Sequence, residues 1–122
     1  MKIIKRENVP EQLLPGRFMQ KIVGECADGY LSDSKILNIG YCRYCAEAGP
    51  MDPHMHAEET VQILNSDQAW VRFGPAKDNL PQKVMLEKNM TLHIPEGEWH
   101  VFEYEEGGFL EILFIYGSKV AL

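Results

Sequence analysis

Apolar residues along the chain recur in short runs with a period of two, and almost nowhere with the three-to-four spacing of an amphipathic helix. Gly, Pro, Asn and Asp punctuate the runs. After the turn at Leu14-Pro15-Gly16 a strand is predicted over 17–24, and a longer one over 35–47. A strand over 60–64 runs into Asn65-Ser66-Asp67, read as a turn, and another over 69–73 stops at Gly74-Pro75. Strands over 82–87, 91–94, 100–104 and 109–116 follow, separated by Asn89, Pro95-Glu96-Gly97 and Glu106-Gly107-Gly108. The stretch 6–14 reads as an arm or a short helical turn. Many short strands without intervening helices predict an all-β fold, an antiparallel sandwich or barrel forming one domain over 1–122.

The strand over 109–116 is apolar on both faces: Leu110, Ile112, Phe114 and Tyr116 alternate with Phe109, Leu113 and Ile115. A strand covered on one side only should alternate with polar residues. A second sheet covers one face; a partner protomer or the N-terminal arm covers the other. A homodimer is therefore expected, with Ile3-Ile4 of the arm (1–16) available to extend a partner's sheet.

Composition narrows the picture. The 122 residues are 45% apolar, enough to bury one core without disulfides. A net charge of −6 and the lack of any basic cluster argue against nucleic acid or an anionic membrane as partner. The longest apolar run is too short to span a bilayer, and charge returns at once after Ile3-Ile4, so a cytoplasmic setting is expected. Three cysteines without a secretion signal do not suggest a disulfide framework. Cys42 and Cys45 form C-x-x-C, but residues three apart on a strand point to opposite faces, which suits packing rather than redox chemistry.

The chemistry concentrates in three histidines. His54 and His56, two apart, share a face if their backbone is extended. Glu59 follows, on the same face as Val61 and Ile63. A carboxylate among apolar residues needs a partner, which two imidazoles and a metal would provide. Bringing Glu59 onto the face of His56 requires a bulge or bend near Ala57-Glu58. His100 follows the Pro95-Glu96-Gly97 turn and shares parity with Phe102, so it should face inward. Glu111 interrupts an apolar strand beside Leu113 and Ile115: if that face looks into the barrel it is a candidate general base, and otherwise an edge residue reaching water. Tyr104, in phase with His100, could supply a pocket hydroxyl or simply pack. Arg43 and Arg72 sit on strands and could meet an anionic substrate or solvent.

Together these residues resemble the two motifs of the cupin superfamily, in outline G-x5-H-x-H-x3,4-E-x6-G and G-x5-P-x-G-x2-H-x3-N. The first is matched by Gly49 to Glu59 running on to Ser66 (49–66), the second by Asn89 to His100 running on to Tyr104 (89–104). Glu59 comes one residue early, and Ser66, Asn89 and Tyr104 stand where the outline has Gly, Gly and Asn. Leu14-Pro15-Gly16-Arg17 is also similar to the start of small single-domain bacterial cupins. The resemblance implies a jelly-roll β-barrel holding one metal through His54, His56, Glu59 and His100. Three imidazoles and one carboxylate suit a divalent transition metal (Fe, Mn, Ni, Zn, Co or Cu) rather than Ca or Mg. Four protein ligands leave two positions of an octahedral metal open to a small oxygenated metabolite. The implied function is an enzyme of dioxygenase, decarboxylase or isomerase type; the alternative is a non-catalytic module that binds or senses a small ligand.

Overall fold

The computed structural model describes residues 1–25 and 29–117. It bears out the all-β reading: β1 (Gln12–Leu14), β2 (Arg17–Gly24), β3 (Ser32–Asp33), β4 (Leu37–Tyr44), β5 (Glu59–Gly74), β6 (Gln82–Met85), β7 (Thr91–Ile94) and β8 (Trp99–Gly117), with two 3-10 turns and no α-helix among the described residues. The strands pair in the order β1-β2-β4-β8-β5-β6, with β3 beside β2 and β7 beside β5. Every pairing is antiparallel except the short β2–β3 contact. Neighbours distant in sequence, such as β4 with β8 and β8 with β5, are the crossovers of a jelly roll.

Two long strands make both layers. β5 and β8 run antiparallel from Glu59 opposite Tyr116 to Gly74 opposite Trp99. The end of this ribbon near Glu59 carries β4 and β7, and the end near Gly74 carries β6. The expected turns at Asn65-Ser66-Asp67 and Glu106-Gly107-Gly108 are not chain reversals. Both stretches stay inside strands and meet across the ladder, where the register slips between Ile63 and Asn65 and again between Asp67 and Ala69. Gln68 (φ 51°) and Gly107 (φ 81°) adopt left-handed backbone at this corner. The backbones approach so closely that a Cβ on Gly108 would lie 2.5 Å from the Asp67 carbonyl oxygen. Such bulges bend and twist a strand, which lets one ribbon serve two layers.

Alternation then fills the space between the layers. Val61, Ile63, Phe102, Leu110 and Ile112 are almost wholly excluded from solvent, and Cys42 and Phe114 pack with them. Cys42 and Cys45 are buried free thiols; Cys26 lies outside the described residues. On β8 the inward residues are Leu110, Ile112 and Phe114, while Phe109, Glu111, Leu113 and Ile115 lie half-buried on the outside. The stretch 6–14 folds as a 3-10 turn (Arg6–Asn8) followed by β1 and crosses this outer side. Val9 is buried, and the Gln20 side-chain amide donates to the carbonyls of Arg6 and Val9, each at 3.1 Å. Arg6 stacks 4.4 Å over the Tyr41 ring and pairs with Glu111, Nη2 to Oε2 at 2.7 Å.

Candidate metal centre

Two backbone contacts bring the distant histidines together. His54 and His100 exchange N–H···O hydrogen bonds of 3.0 and 2.9 Å as an isolated antiparallel bridge, and Gly97 N–H donates to the His56 carbonyl at 3.2 Å. The irregular 51–58 stretch thus docks on the turn that precedes β8. His54 and His56 are not on a regular strand, and the chain bends at Ala57 before β5 begins at Glu59. That bend lies where the parity argument required one, and Glu59 joins Val61 and Ile63 on the buried face.

The three rings converge. Their centroids are 4.5 Å (His54–His100), 5.2 Å (His54–His56) and 5.5 Å (His56–His100) apart, and one ring nitrogen from each lies within 4.8 Å of the others. Each Nδ1 faces a backbone carbonyl: Asp52 for His54 (3.3 Å), Ala57 for His56 (3.1 Å) and Glu98 for His100 (3.0 Å). A carbonyl only accepts, so each Nδ1 carries the proton and each neutral ring keeps its lone pair on Nε2. His100 Nε2 is buried without a hydrogen-bond partner. The Glu59 carboxylate faces the same point, 3.6 Å from His56 Nε2 and 3.9 Å from His100 Nε2.

Burial favours the neutral form of each of these groups. Desolvation pushes all three imidazoles below their ordinary range, His54 to about 4 with the neighbouring His100 adding to the effect. Desolvation also pushes the Glu59 carboxyl up to about 7, against the opposing pull of the Arg17 charge. Lone pairs and a carboxylate aimed at one point complement a cation, and the orphaned His100 Nε2 fits that arrangement.

His54, His56 and Glu59 line a cavity of about 860 Å³ between the layers, with His100 buried behind them. Arg17, Asn38 and Tyr44 from β2 and β4 also face it. Two residues singled out in the sequence are not among those lining it. Glu111 lies on the outer face of β8 in the Arg6 ion pair, because the inward phase of that strand belongs to Leu110, Ile112 and Phe114. Its position therefore answers the condition set on it: the face it shares with Leu113 and Ile115 does not look into the barrel. Tyr104 packs beside the core and donates its hydroxyl to the Gly49 carbonyl at 3.3 Å, tying down the start of the histidine loop. Arg43 pairs with Glu11 and Arg72 with Glu103, so neither is directed at the cavity. Arg17 and Asn38 were missed. The inward phase of their strands was the available signal, since Arg17 alternates with Met19 and Asn38 with Cys42 and Tyr44.

No protein-family model matches the chain, and no curated protein matches it. Solved structures do. The polyketide cyclase RemF from Streptomyces resistomycificus superposes with a TM-score of 0.70 at 19% identity, covering 98% of this chain and 80% of that one. Hydroxypropylphosphonic acid epoxidase from S. wedmorenis gives 0.66 at 14% identity, over 94% of this chain and 58% of the epoxidase. The cupin domain of Schizosaccharomyces pombe Cnp3 gives 0.66 at 12% identity, over 96% and 74%. The fold is that of the cupins. At such identities the likeness concerns the fold alone. In this cupin fold the histidine cluster sits where the 51–58 loop closes on β8, facing the cavity between the layers.

Proposed function

We propose that this cupin is a metal-dependent enzyme acting on a small oxygenated metabolite, of dioxygenase, decarboxylase or isomerase type. His54, His56, Glu59 and His100 would hold one divalent transition metal. The observation that carries the reading is the shared Nδ1–carbonyl pattern, which turns three neutral Nε2 lone pairs toward one point beside a carboxylate. Nitrogen-rich donors without thiolate favour Fe, Mn, Co, Ni, Cu or Zn over Ca or Mg. Structures of HppE in its Fe(II) form superpose on the chain, which supports a metal role on this fold. When bound, the metal supplies Lewis acidity and open positions for a chelating substrate. The chain's own part is to fix ring tautomers through backbone carbonyls, to supply one negative charge from Glu59, and to shelter the ligand in the cavity. Elemental analysis of natively expressed protein should find about one transition metal per chain, held by the four protein ligands. Protein that stays metal-free after loading with Fe, Mn, Co, Ni, Cu and Zn in turn would refute the reading.

The outward position of Glu111 favours a second reading, a module that binds a small ligand without turning it over. Consumption of a bound ligand separates the two.

We also propose a homodimer in a reducing, cytoplasmic setting. The buried free thiols support the setting. Exposed Ile3, Leu13, Ile36 and Leu37, together with the half-buried outer face of β8, support the assembly. Because Ile112 and Phe114 point inward, the informative substitution is Leu113→Asp. Light scattering should show a dimer for the wild type and a folded monomer for Leu113→Asp; a wild-type monomer at tens of micromolar would overturn the assembly.

A further inference from the structure

Of the four arginines in the chain, three are neutralised: Arg6 by Glu111, Arg43 by Glu11 and Arg72 by Glu103. Arg17 has no carboxylate within 4 Å among the described residues, and its charge opens onto the cavity that holds His54, His56 and Glu59. Its Nη1 donates to the Pro15 carbonyl at 2.9 Å, which leaves most of its five N–H donors unspent against protein carbonyls. Asn38, 9% exposed, faces the same cavity, and its side-chain amide makes no hydrogen bond to another described residue. A guanidinium with donors to spare and an amide without a hydrogen bond to another described residue form, in a concave site, the donor set of a planar oxyanion.

The backbone fixes Arg17 relative to the histidines. Gly16 (φ +82°) donates its N–H to the Ala48 carbonyl at 3.2 Å, and a Cβ there would lie 2.8 Å from Met51 Cα. The Pro15-Gly16 turn is thus pressed against the loop that carries His54 and His56. Arg17 is the one Lys or Arg side chain among the described residues lining the cavity, whose lining also includes the carboxylates Glu25 and Asp52.

We propose that Arg17, assisted by Asn38, is the anion-recognition residue of this cavity, and that the ligand is a small carboxylate-bearing metabolite chelating the metal at its other end. The proposal rests on the metal reading above and adds the class of ligand. Two hydroxamate probes test it on Co(II)-loaded protein, followed by the cobalt absorption spectrum. Acetohydroxamate offers only the chelating group; succinohydroxamate and glutarohydroxamate add a carboxylate at two reaches. Wild type should prefer one of the carboxylate probes over acetohydroxamate by about 10-fold or more, as expected for a charge-assisted bidentate contact. Arg17→Gln should abolish the preference while leaving cobalt content and acetohydroxamate affinity intact, and Arg17→Lys should keep part of it. No preference in wild type, or a preference that survives in Arg17→Gln, overturns the proposal. So does an Arg17→Gln variant that weakens all probes and cobalt alike, since Arg17 would then serve Glu59 rather than the ligand. Failure to take up cobalt, or any of the other metals, would instead refute the metal reading, and the proposal with it.

Discussion

In a His100→Ala variant, metal affinity should fall by about 100-fold or more, since even a partner that only orients a ligand is worth 10- to 100-fold. The apo protein should hardly notice. His100 is 1% exposed and packs at 6.0 Å centroid distance on Phe102, so alanine leaves a void that costs stability. The same substitution removes a buried Nε2 that has no hydrogen-bond partner, relieving a penalty of comparable size. Together with the lost Nδ1 bond to the Glu98 carbonyl, these effects should leave a net loss of no more than about 2 kcal/mol. A core histidine retained for packing predicts the reverse: a large loss of apo stability and no change in metal affinity. Isothermal titration with Co(II) or Zn(II), beside urea denaturation of the metal-free protein, separates the outcomes. Unchanged affinity would remove His100 from the ligand set.

Much of this was legible in the sequence because it is local. The extended phase of Val61 and Ile63 placed Glu59 on the buried face, and the parity mismatch with His56 required the bend that the chain makes at Ala57. The inward orientation of His100 followed from Phe102. The corners were misread for a physical reason. Asn65-Ser66-Asp67 and Glu106-Gly107-Gly108 carry the residues of a chain reversal, but a bulged corner uses the same left-handed and side-chain-free positions. What distinguishes them is that the two stretches face each other, Asp67 opposite Phe109, and that pairing spans residues far apart in sequence. Glu111 was left open for a different reason. Its parity with Leu113 and Ile115 was right, but a strand apolar on both faces does not reveal which face looks inward; the arm and its Arg6 decide that. Arg17 shares the phase of Met19, but a lone strand arginine reads as solvent-exposed until the other arginines are seen to be paired.

Replacing Glu59 by glutamine should stabilise the metal-free protein at neutral pH while weakening its hold on metal, and the pH dependence identifies the cause. Burial raises the Glu59 carboxyl to about 7 from an ordinary 4.5, so the folded state holds a proton that the unfolded chain has already released. A group with a raised folded-state pKa contributes fully below its unfolded value, and that contribution is lost as pH rises through the folded one. The loss therefore begins near pH 4.5 and is complete above about 7, amounting to roughly 2–3 kcal/mol for a carboxyl only 8% exposed. The histidines act in the opposite sense: their lowered values cost stability as pH falls below about 6.5. Comparing wild type with Glu59→Gln cancels most of that contribution, because the rings are common to both. In the presence of chelator, urea denaturation should find the variant more stable by roughly 2–3 kcal/mol at pH 8, with the two curves converging toward pH 4.5. Saturating metal should reverse the order, since the wild type then gains binding energy that the neutral amide cannot match. A stability difference independent of pH would mean that Glu59 is not held near neutral pKa. An order unchanged by metal would mean that its carboxylate is not part of the centre.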